Sequence, residues 1–106
     1  MNLESLLSRT HKPNYGCSEF ACEAWKMVTG EDLAKRMRKH LKKGNGFKEI
    51  TEPISPCIVF FSRNERSSTH VGLFFNNRIW HLGFRGAQNA PLEHVRIGFS
   101  NVRFYQ

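Results

Sequence analysis

Three side chains in this sequence have the types that nucleophilic catalysis needs: Cys17, His70 and His81. A thiolate attacks a carbonyl carbon, an imidazole takes the thiol proton and returns it to the leaving group, and a second polar side chain holds that imidazole in one tautomer. Cys17 follows Pro13-Asn14-Tyr15-Gly16, a turn-rich stretch that cannot continue a helix backwards, and precedes apolar residues at helical spacing. It is therefore expected in or next to the first turn of a helix. There the positive end of the helix dipole and the unsatisfied backbone N–H groups favour a thiolate, and the same N–H groups can hold an oxyanion.

The histidines are aligned by the segment between them. His70 to Phe75 and Arg78 to Gly83 are two apolar runs separated by Asn76-Asn77, residues that accept the positive φ values of a type I′ turn. A two-residue turn sets Phe75 opposite Arg78, Phe74 opposite Ile79, Leu73 opposite Trp80 and Gly72 opposite His81. His70 and His81 then share one face as diagonal neighbours about 7–8 Å apart, a gap that imidazoles bridge. Gly72 leaves room between them, while Val71, Leu73, Phe75, Trp80 and Leu82 point to the other face as core.

Around these residues the chain reads as helices first and strands after. Phe20, Ala21, Ala24, Met27 and Val28 define a helix from Ser18 to Val28 with Gly30 as its stop. A second, surface helix is expected from Glu31 to Lys43, with Glu31 and Asp32 in its first turn and a narrow stripe of Leu33, Met37 and Leu41. A loop opens at Gly44-Asn45-Gly46, Cys57 to Phe61 reads as a buried strand, and Ser62 to Thr69 as a connection. Gly86 to Pro91 reads as a loop, Glu93 to Ile97 and Asn101 to Tyr105 as further strands. This is an α+β pattern, N-terminal helices packed on a C-terminal antiparallel sheet, in one domain spanning residues 1–106.

The 106 residues carry 16 Lys plus Arg against 9 Asp plus Glu, a formal charge of +7, with 40% hydrophobic residues. Such a chain can bury a core, which excludes default disorder. Lys35, Arg36, Arg38, Lys39, Lys42 and Lys43 concentrate the excess charge, which fits an anionic partner or a solvated helix face; without interleaved aromatics a nucleic-acid partner is disfavoured. No apolar run is long enough to span a bilayer, and the start lacks the pattern of a signal peptide, so synthesis in the cytoplasm is expected, and if the chain reaches the envelope or leaves the cell something other than a standard signal carries it. Three cysteines without CxxC and five histidines without HExxH spacing indicate no metal site. Cys22 and Cys57 are expected to be inert core thiols, and His11, His40 and His94 receive no role.

Cys17-Ser18-Glu19-Phe20 opening a helix, the strand Ile58-Val59-Phe60-Phe61, the strand start His70-Val71-Gly72-Leu73, and Trp80-His81 together resemble the NlpC/P60 cysteine peptidases. These are papain-like enzymes that mostly cut stem peptides of bacterial peptidoglycan. The resemblance covers nearly the whole chain, Tyr15 to Tyr105. It implies that Cys17 is the nucleophile, His70 the base and His81 the residue orienting it, with no cofactor. Tyr15 and Ser18, flanking the nucleophile, are expected to touch substrate. Thr29-Gly30-Glu31-Asp32-Leu33 is similar to a step in small phage-encoded relatives. The family's Asp-Cys-Ser-Gly reads Gly16-Cys17-Ser18-Glu19 here, which removes an Asp that is a substrate-side feature in many members, and its Pro-Gly-Asp reads Ser55-Pro56-Cys57. They leave a second reading: a phage tail or other assembly module that keeps the fold with little turnover.

Overall fold

Helix α1 runs Cys17–Thr29, and glycine sets both of its ends. Gly16 is the extended N-cap residue, and its N–H donates to Glu19 Oε1 at 2.8 Å, which fixes the chain's entry and sets a carboxylate at the positive helix end. Gly30 takes φ 79°, and its N–H donates to the Lys26 carbonyl at 2.8 Å. The computed structural model describes residues 3–44, 46–64 and 70–106. Within it the helical spacing puts Phe20, Ala21, Ala24 and Trp25 on one buried face. Full burial of Phe20 contributes about 1.5–3 kcal/mol.

Helix α2 runs Leu33–Lys43 and starts later than the sequence reading has it. Asp32 is the N-cap, accepting the Ala34 N–H at 3.1 Å. Glu31 stays outside the helix because its Oε1 accepts from Trp25 Nε1 at 2.8 Å and from Arg36 Nη1 at 2.9 Å. Leu33 is buried and Met37 packs against the same core; the side chain of Leu41 lies outside the described residues. Lys35, Arg38, Lys39, Lys42 and Lys43 are exposed.

The helices are followed by a six-stranded antiparallel sheet, so the fold class is α+β. Its strands are β1 (Glu49–Ile50), β2 (Cys57–Ser62), β3 (His70–Phe75), β4 (Arg78–Gly83), β5 (Gly86–Ala90) and β6 (Asn101–Tyr105), in the order β1-β6-β2-β3-β4-β5. Strands β3 and β4 pair Leu73 with Trp80, Phe74 with Ile79 and Phe75 with Arg78. Asn76 and Asn77 supply the turn with φ 53° and 63°. The connection expected from Ser62 to Thr69 lies outside the described residues from position 65 on, as does Asn45 in the earlier loop.

Two segments differ from the sequence reading. Gly86 to Pro91, expected as a loop, forms edge strand β5, because β4 offers a template that pairs Ile79 with Ala90 through to Gly83 with Gly86. Glu93 to Ile97, expected as a strand, is helical: α3 (Leu92–Val95) and then a 3-10 turn over Arg96–Gly98. Pro91 caps this segment, and Leu92 and Val95, three apart on one helical face, both pack on the sheet.

One sheet face carries Ile58, Val71, Leu73, Trp80 and Leu82 against α1 and against Leu3 and Leu6 of an N-terminal 3-10 helix, Leu3–Ser8. The other carries Cys57, Val59, Phe61, Phe74 and Ile79, covered by Leu92, Val95 and Phe99. Among the described residues no helix is long and apolar enough to cross a membrane.

Candidate active site

His70 is the first residue of β3 and His81 lies near the end of β4, so both stand at one end of the sheet. Their rings meet edge to face, with His70 Nε2 3.0 Å from His81 Nδ1. The close approach depends on Gly72: a Cβ there would lie 3.0 Å from Ile79 Cγ2 and 3.2 Å from both His81 Cβ and the Trp80 carbonyl oxygen. Phe99 lies parallel to His70 at 5.8 Å and Phe61 tilts against it at 5.9 Å; the two phenyl rings also touch each other, at 5.3 Å, so they form one apolar wall beside the imidazole.

That setting decides charge. Burial lowers the pKa of His70 below 6.5; burial, and then the repulsion of a charged His70, lower His81 to about 4. Both rings are therefore neutral at neutral pH. With the shared proton on His70 Nε2, the bond to His81 Nδ1 leaves His70 Nδ1 as an acceptor and puts His81's own proton on Nε2. His81 Nε2 is buried and has no hydrogen-bond partner among the described residues.

Cys17 is the first residue of α1, partly buried, and it lines the same cavity of about 700 Å³ as His70 and His81. This size suits a ligand of several residues. Gly16 accepts the first helical bond from Phe20 N–H at 3.0 Å, and the N–H groups just inside the helix start have no intrahelical acceptor. The cysteine thus sits at the positive end of the helix. Cys57 is fully buried and burial raises its thiol pKa; burial followed by Glu19 and Asp32 raises that of Cys22.

Tyr15 and Ser18, the two expected substrate contacts, are not among the residues lining this cavity. Ser18 Oγ donates to Glu19 Oε2 at 3.1 Å. The Tyr15 hydroxyl donates to Glu23 Oε1, and Arg9 grips the same carboxylate at both ends, with Nε 3.2 Å from Oε1 and Nη2 2.8 Å from Oε2. Burial, then Glu23, push the Tyr15 phenol up to about 12 and keep it a donor. The Arg9 carbonyl also accepts the Ala87 N–H of β5 at 3.1 Å. This network straps the segment before Cys17 to both α1 and the sheet edge.

The cavity instead takes in residues to which the sequence reading gave no role. His94 and Val95 come from α3, Gln88 from β5, Phe84 from the β4–β5 turn, and His11 from the strapped segment. Gln88 stands opposite His81 in the register, a neighbour that could have been found by reading Gly86 to Ala90 as a strand. Among the described residues no group of three or more His, Cys, Asp or Glu is arranged to hold a metal ion. No family model, curated protein or solved structure matches this chain.

Proposed function

We propose that the protein is a cysteine hydrolase of the papain-like, NlpC/P60 type that cleaves amide bonds, with peptidoglycan stem peptides or a related peptide as the substrate class. The observation that carries this reading is the 3.0 Å His70–His81 contact in a cavity that the helix-start thiol of Cys17 also lines. His70 Nδ1 takes the Cys17 proton as sulfur attacks the carbonyl carbon. The free N–H groups of the first turn of α1 stabilise the oxyanion. The His70 imidazolium then protonates the leaving amine as the C–N bond breaks, which leaves an acyl group on sulfur. Water, deprotonated by His70, releases the carboxylate and regenerates the thiol. His81 holds His70 in the tautomer that each step requires. The basic face of α2 assists approach to an anionic cell wall.

The test is hydrolysis of purified muropeptides followed by mass spectrometry. Cys17→Ala is expected to abolish turnover with an unchanged circular dichroism spectrum; turnover by Cys17→Ala sinks the assignment. Gly16, standing where the family has Asp, favours a second reading as a phage tail or other assembly module with little turnover. Iodoacetamide labelling separates the two: a hydrolase shows Cys17 reacting ahead of Cys22 and Cys57 in a His70-dependent way, and an inert module shows no such advantage.

A further inference from the structure

Phe84 is the most exposed large apolar side chain among the described residues, at 90%, and it stands at the rim of the cavity that holds Cys17. The turn that carries it is closed by the Gly83–Gly86 pair, and Gly86 alone there takes a positive φ, 113°. The turn's backbone therefore makes no demand for an aromatic residue, and the core gains nothing from it. Its ring lies against His11, with centroids 4.9 Å apart and planes tilted by 53°. His11 Nε2 in turn lies 3.8 Å from where a Gly16 Cβ would stand, one residue before the nucleophile. His11 thus connects the exposed Phe84 ring to the residue before Cys17.

Both ends of this connection are anchored. The Ala87 N–H bond to the Arg9 carbonyl ties the strand after Phe84 to the segment that carries His11, and the Arg9–Glu23–Tyr15 network ties that segment to α1. Leu82 of β4 and Gln88 of β5 line the same cavity. An aromatic ring at a cavity rim with an open face gains contact area when a flat or apolar group lies on it.

We infer that Phe84, backed by His11, forms a specificity subsite that takes an uncharged aromatic or large apolar group adjoining the scissile amide. The inference rests on the reading of Cys17 as the nucleophile. The substrate class it defines is a peptide or acyl amide with such a group next to the bond cut, a related peptide rather than the stem peptide itself, whose residues beside the amide bonds are small or charged.

The test compares two alkylating reagents on one thiol: iodoacetamide and N-benzyl iodoacetamide. In each, the thiolate forms a C–S bond as iodide leaves. Rates at Cys17 are read by mass spectrometry with Cys22 as the internal reference. The benzyl reagent is expected to react about tenfold faster than the parent at Cys17. Phe84→Ala is expected to remove that advantage, read as the ratio of the two rates at Cys17, and Phe84→Tyr to keep it. No benzyl advantage, an advantage that survives Phe84→Ala, or a Cys17 that neither reagent reaches overturns the subsite. His70→Ala is run alongside. If it leaves the parent rate unchanged, the hydrolase reading fails, and the ratio of the two reagents still decides the subsite.

Discussion

Burial of the histidine pair couples stability to pH. His81 titrates at about 4 in the folded chain against 6.5 when unfolded. Above 6.5 neither state holds the proton, and the pair costs nothing. As pH falls from 6.5 toward 4 the unfolded chain binds a proton that the folded chain refuses, so stability is lost across that window. A tenfold difference in proton affinity is worth about 1.36 kcal/mol, so the loss from His81 reaches about 3 kcal/mol, a large part of a small domain's stability. His70, also lowered by burial, adds in the same direction. The perturbation is His81→Gln, whose amide oxygen can accept from His70 Nε2 but does not titrate. Urea unfolding of both proteins from about pH 7.5 to about pH 4 reads the difference; the carboxylates lowered at Glu19, Glu23 and Glu31 are common to both and cancel. The parent is expected to lose about 3 kcal/mol more than His81→Gln between pH 6.5 and 4. Curves that stay parallel across that range refute the claim that burial holds the pair neutral.

Gly72→Ala forces a Cβ against Ile79 Cγ2 at 3.0 Å and against the Trp80 carbonyl oxygen at 3.2 Å, so a loss of about 1–3 kcal/mol in urea unfolding is expected, together with loss of His70-dependent alkylation at Cys17. Glu23→Gln breaks a solvent-screened ion pair and is expected to leave global stability in urea unfolding nearly unchanged. Its effect is local: trypsin should cut after Arg9 faster than in the parent, and unchanged cutting would mean that the strap is not held by Glu23.

The hairpin was legible because its signals are local and agree with one another. Asn76-Asn77 sets the turn, alternation sets the faces, and register then brings His70 to His81 without further information. The helix start at Cys17 was legible for the same reason, since turn residues and glycine mark it on the chain itself. Other features depend on partners far away. Gly86 to Ala90 has little strand propensity and is a strand because β4 pairs with it. Glu93 to Ile97 carries a short apolar pattern that fits strand or helix, and the covering of the second sheet face resolves it as helix. The Arg9–Glu23–Tyr15 network, which draws Tyr15 away from the cavity, has no sequence signature at all: ordinary polar residues meet only after folding.

The bond between Ala87 N–H and the Arg9 carbonyl has one more effect. An open sheet invites a strand from another molecule wherever its outermost backbone groups are free. Here one margin of the sheet is β1, only two residues long, and the other is β5, across which the segment at Arg9 is laid. The same backbone bond that helps aim the N-terminal arm at the cavity also occupies a docking position for a foreign strand. Loss of the arm would therefore do more than loosen the site: it would uncover a template for edge-to-edge self-association, so that solubility and site geometry depend on one stretch of chain.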